Sequence, residues 1–171
     1  MKTRKKRTIN RNYLPKKLSA KDRKKQATML LKSRKLYKKG IYYSRKRVKS
    51  FQTKTSKHIL RAKKIYGVDK IGATNILAKK SGCSKASLAK IISKGAGAYY
   101  SSGSRPNQSA QSWGVARLAS ALTSGKAGAI DYAILQNGCK RGSKGFKAAQ
   151  LARRKFGYGD KKVPKVSLPR L

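Results

Sequence analysis

Glutamate is absent from this chain, and aspartate occurs only at Asp22, Asp69, Asp131 and Asp160. There is one histidine, His58, and there are two cysteines, Cys83 and Cys139. These shortages exclude much chemistry. A paired-carboxylate site needs two acids on facing elements, and four scattered aspartates do not suggest one. His58 has no evident Cys or carboxylate partner, so a nucleophilic triad is not expected, and the many serines are weak nucleophiles alone. Structural zinc wants four closely spaced Cys/His ligands, and that set is missing. No cofactor motif is present: the Walker pattern G-x-x-x-x-G-K-[ST] does not occur. No run of about 18 apolar residues is available to span a bilayer. The charged N-terminus is not followed by an apolar core, so no secretory signal is expected. Two isolated cysteines fit buried small hydrophobes in a reducing compartment, although sequence leaves a disulfide open. The expectation is a non-enzyme with no metal and no cofactor.

Positive charge is present in excess. The 171 residues contain 46 Lys plus Arg, for a formal charge of +42. Such a chain repels itself unless counter-ions or an anionic partner offset it. Nucleic acid is the first expectation, with DNA ahead of RNA, because each neutralised phosphate releases condensed counter-ions. An anionic membrane surface is the second, as a peripheral contact.

The charge is uneven along the chain. Residues 1–66 hold 26 Lys/Arg against Asp22 alone, whereas residues 95–138 hold only Arg105, Arg117 and Lys126 against Asp131. A neutral Ala/Gly/Ser-rich centre is thus flanked by basic segments. The expected organisation is a basic arm at 1–18, a basic helix and extended linker at 19–55, a compact helical domain at 56–156 and an extended basic tail at 157–171. The fold class is all-α. Ser19, Ser56 and Ser84 are placed to cap helices, and Gly40, Gly67, Gly125 and Gly138 to stop them. A helix from about 84 to 93 should break at Gly95 and Gly97. Another should run from Asn107 or Ser109 to Thr123, one over 126–136 with Ile130, Ala133 and Ile134 inward, and a last one over 144–156 carrying Phe146, Ala149, Leu151 and Ala152.

Two stretches could carry binding. Residues 75–94 (NILAKKSGCSKASLAKIISK) have the spacing of a helix-turn-helix, with Gly82 at the turn and Lys85, Ser87 and Lys90 outward from the second helix. No Asn, Gln or Arg lies among those outward residues to pair a base, so sequence-specific readout is the weaker expectation. Residues 95–120 (GAGAYYSSGSRPNQSAQSWGVARLAS) are the least charged. There Arg105, Tyr99 and Tyr100 are the candidate partner-binding residues, set against the alternative that the aromatics simply pack into the core. The candidate nucleic-acid contacts are Lys2, Arg4, Lys5, Lys6, Arg7, Lys24, Lys25, Arg45, Lys46, Arg47, Lys85 and Lys90.

At YLPKKLSAKDRKKQ (13–26), AKKIYGV (62–68), LAKKSGCSKASLAKI (77–91) and above all KGAGAYYSSGSRPNQSAQSWGVARLAS (94–120), the chain resembles an uncharacterised family of basic proteins. That family is encoded by large DNA viruses of algae and protists: phycodnaviruses, mimiviruses and their relatives. The resemblance covers roughly residues 13–140. It implies a viral protein carried in the particle, and during infection located in the host nucleus or a cytoplasmic virus factory. It supplies no catalytic residue. Three functions follow as expectations. The first is a virion-associated protein binding packaged DNA through its Lys/Arg arms. The second is a minor capsid protein cementing capsid proteins beneath the shell. The third is a helix-turn-helix regulator.

Overall fold

The computed structural model describes residues 7–171. Eight helices and one two-stranded sheet make up the described chain, so the fold is all-α. Residues divide into two compact units. Unit 1 takes the chain up to Lys54, then Ala98–Ser109 and Lys162–Leu171; unit 2 takes Thr55–Gly97 and Ala110–Lys161.

Unit 1 is built around α1 (Ala20–Tyr37). Ser19 caps it as expected: its Oγ accepts from the Asp22 amide at 3.2 Å. Asp22 does not return the bond to Ser19. Its carboxylate instead accepts from the amide and hydroxyl of Ser50, both at 2.7 Å, and these bonds hold its pKa below the usual carboxylate value. The buried stripe includes Gln26, Ala27, Met29 and Leu30. The N-terminal arm and C-terminal tail are not free extended segments where they are described. β1 (Thr8–Asn10) pairs antiparallel with β2 (Lys165–Ser167), with Ile9 opposite Val166. The physical reason is the apolar residues interspersed among the lysines. Ile9, Leu14 and Leu18 are buried with Leu30 and Val48, and Val166 and Leu168 pack against that cluster. Residues 41–55 contain no regular element, as expected for a linker, but Val48 is buried.

Unit 2 centres on α5 (Ala110–Leu122), against which α2 (Lys57–Tyr66), α6 (Lys126–Ile130) and α8 (Lys144–Phe156) pack. Leu118, Ala119, Ala121 and Leu122 of α5 are buried. Tyr66 of α2 donates its hydroxyl to the Leu122 carbonyl at 2.8 Å, and burial raises that hydroxyl's pKa to about 12. Short α3 (Asn75–Ser81) leads through Gly82, which is left-handed at φ 72°, to α4 (Lys85–Ser101).

Three expectations about unit 2 change. Neither Gly95 nor Gly97 breaks α4, which continues to Ser101. A Cβ on Gly95 would stand 2.6 Å from the Gly114 Cα, so the two glycines let α4 and α5 cross backbone to backbone. That packing outweighs the cost of about 1 kcal/mol for glycine inside a helix. The helix expected over 126–136 is two, α6 and α7 (Tyr132–Gly138), because Asp131 leaves helical geometry at the junction. Its buried carboxylate binds Lys94 Nζ at 2.6 Å and Arg117 Nε at 2.7 Å. The turn leaves Ile130 and Ala133 exposed, and Leu135 is the buried residue of α7. On α8, Leu151 is likewise exposed, while Ala148 and Gly145 join Ala149 and Ala152 inside.

The cysteines are also a correction. Cys83 and Cys139 form a disulfide rather than lying apart as buried thiols. Flanking backbone bonds hold the two strands of chain together: Ser84 N to Gly138 O at 2.7 Å, and Lys140 N to Gly82 O at 2.9 Å. Gly145 leaves room for the Cys83 sulfur, since a Cβ there would overlap it.

Candidate nucleic-acid interface

Among the described residues, ion pairs form only at Asp131, with Lys94 and Arg117. The remaining cations must be balanced by something outside the chain or by bulk ions.

Placement divides the candidate residues. Lys2, Arg4, Lys5 and Lys6 lie outside the described residues. Arg7, Lys24, Lys46 and Arg47 are exposed. Lys25 is exposed, with its Nζ donating to the Arg47 carbonyl at 3.1 Å. Arg45 is different. Its guanidinium donates to Ser33 Oγ (3.1 Å), Tyr99 O (2.8 Å) and Ser104 Oγ (2.7 Å), and sits 3.7 Å over the Tyr99 ring. Burial lowers its pKa, although a guanidinium remains charged at any physiological pH. Arg45 is therefore an internal brace of unit 1, its guanidinium committed to groups of the chain itself. Tyr99 is 1% exposed and serves the same brace, so it is closed to a partner. Tyr100 is half-buried in edge-to-face contact with Tyr42 and Tyr99. Arg105 is exposed.

The neutral stretch owes its composition to this interior. Gly103, at φ 119°, lies where a Cβ would meet Leu30 at 2.7 Å. Ser104 is fully buried and accepts from Arg45. Asn107 clamps the linker through both ends of its amide: Oδ1 accepts from Val48 N (2.8 Å), and Nδ2 donates to Val48 O (3.0 Å) and Phe51 O (2.8 Å).

The 75–94 segment has the expected turn chemistry. Ser84 Oγ accepts from Ser87 N at 3.2 Å, capping α4, and Leu88 and Ile91 are buried. Lys85 and Lys90 are exposed. Ser87 is not outward: its hydroxyl bonds Ser84, and a Cβ on Gly138 would overlap it. The end of α7 therefore lies against this side of α4.

A basic surface that the sequence reading did not single out lies on α2 and α8. Lys57, Arg61 and Lys64 share one exposed face of α2, and Lys144, Lys147 and Arg154 one exposed face of α8; these spacings place side chains on one side of a helix. The helices run antiparallel across α5. Lys144 Nζ reaches the Ile65 carbonyl at 3.4 Å, while Lys155, at the other end of α8, is close enough to His58 to help lower its pKa. Burial is the larger cause of that lowering, and Arg61 adds to it. His58 Nδ1 lies 2.8 Å from Thr123 Oγ1, whose own proton goes to the Ala119 carbonyl. With that hydroxyl directed at Ala119, an Nδ1–H tautomer of the imidazole can donate to Thr123 Oγ1. Neither helix contains an acid. The signal was available in the 3.6-residue spacing of the cations, but it was obscured by the far denser charge of residues 1–66.

No cluster of three His, Cys, Asp or Glu able to hold a metal occurs among the described residues, and none of their helices is long and apolar enough to cross a membrane. A family model, described as a family of unknown function (DUF5824), matches residues 10–137. No curated protein and no solved structure matches the chain.

Proposed function

The chain belongs to the DUF5824 family, a family of unknown function, and we propose that it is a non-enzymatic structural protein that binds DNA without sequence preference through its Lys/Arg surface. The setting we propose is a virus particle, where it would hold packaged genome; that setting rests on the resemblance of residues 13–140 alone. The observation that carries the binding proposal is the set of exposed cations on ordered helices with no internal anion to offset them. Lys57 stands four residues before Arg61, and Lys144 three before Lys147. Like charges at such spacings destabilise a helix. Lys57 and Lys144 also open their helices, where a cation opposes the helix dipole. Phosphate would relieve both costs.

Two rival readings receive less support. Cementing capsid proteins through the neutral stretch requires its distinctive residues at the surface, but Gly95, Tyr99, Ser104 and Gly114 are buried. A regulator reading bases through α4 would lose Ser87 from its reading face, since Ser87 lies against Gly138.

The test is duplex binding across a salt series. The logarithm of affinity should fall linearly with the logarithm of salt, with a slope of about −0.9 per phosphate neutralised. Replacing Lys147 and Arg154 with Gln should weaken binding equally on all sequences and flatten the slope by about two. A salt-independent affinity, or no binding at about 50 mM salt, would remove the proposal.

A further inference from the structure

Two helices of unit 2 repeat one local pattern. On α7, Tyr132 is followed one turn later by Gln136; on α8, Phe146 is followed one turn later by Gln150. Residues four apart share a helix face. α7 and α8 pack on each other. These four side chains, joined by Asn137 and Arg141, line an open cavity of about 620 Å³.

The lining is unusual for this chain. Three side-chain amides gather there, and no lysine and no acid lines it. The side chains of Gln136, Asn137, Gln150 and Arg141 make no hydrogen bond or ion pair with the described residues. Tyr132 carries the Arg153 guanidinium 4.6 Å from its ring centroid. Both aromatic rings are half-buried and pack against the core.

We infer that this cavity takes an unpaired nucleobase of a single-stranded nucleic acid, with the adjoining phosphate on Arg141. The inference rests on the nucleic-acid reading above and adds a ligand class to it. Amides offer a donor and an acceptor side by side, the arrangement that pairs with a base edge. Aromatic walls stack with any base. An arginine meets a phosphate with paired donors. The volume falls within the roughly 300–1,000 Å³ of small-ligand sites. The site also supplies what the outward face of α4 lacks, namely groups able to address bases.

The experiment compares a fluorescently labelled single strand with a hairpin duplex of equal length, on the full chain and on the double variant Gln136→Ala, Gln150→Ala. Gln136 is exposed and Gln150 half-buried, and a thermal melt checks that the fold is retained. The variant should bind the single strand roughly tenfold more weakly and the duplex within about twofold of the parent. A 2-aminopurine placed in the strand should show stacking-induced quenching that Tyr132→Leu removes. Equal losses on both probes, or none on either, would overturn the cavity assignment and leave the basic surface standing. Absence of parent binding to both probes would remove the two together. A mononucleotide binding as tightly as the strand would also overturn it, by assigning the cavity to a free nucleotide.

Discussion

The Arg45 guanidinium lies 3.7 Å over the ring of Tyr99 and donates to the carbonyl of the same residue at 2.8 Å. The Tyr99 hydroxyl in turn accepts from the backbone amide of Arg45 at 2.8 Å. One residue from a basic segment and one from the neutral stretch thus hold each other from both ends. Ser33 and Ser104 complete the guanidinium's bonding. No carboxylate takes part, so the cation is satisfied by neutral acceptors and an aromatic face.

Arg45→Lys should therefore destabilise the protein although it preserves charge. A lysine ammonium cannot reproduce the planar stack or the several directed bonds. The expected loss is about 2–3 kcal/mol, as for a partly buried cation losing hydrogen bonds. Denaturant unfolding measures it. The salt slope of DNA binding should stay unchanged, because the Arg45 guanidinium is held by Ser33, Tyr99 and Ser104. A stable variant with a flattened slope would return Arg45 to the phosphate contacts.

Removing the disulfide tests how unit 2 is fastened. Cys83 and Cys139 are 56 residues apart in sequence, and closing a loop of that length is worth about 4 kcal/mol in the chain-entropy account. The double variant Cys83→Ala, Cys139→Ala should unfold at correspondingly lower denaturant, and a reductant should shift the parent toward it. No effect of reductant on the parent, with two thiols then titrating under native conditions, would show that the bond is dispensable.

Sequence legibility followed the range of the interactions. Caps are local, and Ser19, Ser56 and Ser84 could be identified because a side-chain oxygen need only reach an amide two or three residues on. Gly67 was legible as a stop and Gly82 as a turn for the same reason, each being left-handed at a helix end. Gly95 was misread because its purpose lies in another helix, at Gly114. Asp131 was legible only as one of four scattered aspartates, because Lys94 and Arg117 converge on it from α4 and α5. The pairing of Ile9 with Val166 joins residues from opposite ends of the chain, beyond any periodic pattern. The cavity between α7 and α8 was hidden by the same distance effect. Tyr132–Gln136 and Phe146–Gln150 are unremarkable separately and become a site only when the helices pack. Charge was legible in amount but not in use, since Arg45 reads like Arg47 until burial separates them.

His58 supplies a pH dependence with a defined sign. Burial, then the nearby Arg61 and Lys155, lower its pKa below 6.5 in the folded chain. As pH falls through 6.5, the unfolded chain takes up a proton before the folded one does. Stability therefore declines with falling pH until the folded pKa is passed, and it is unaffected by this residue above about pH 7.5. Asp22 also loses a stabilising contribution on acidification, but its depressed pKa confines that loss to pH values below the ordinary carboxylate range near 3.8. Melting temperatures measured from pH 7.5 down to about 5 thus isolate His58. The parent should melt progressively lower across that window. His58→Asn should flatten the decline, since an uncharged amide can still donate to Thr123 Oγ1 without gaining a proton. If the parent were instead more stable at pH 5 than at pH 7.5, the imidazolium would be the favoured folded form. That outcome would require an anionic neighbour that neither α2 nor α8 contains.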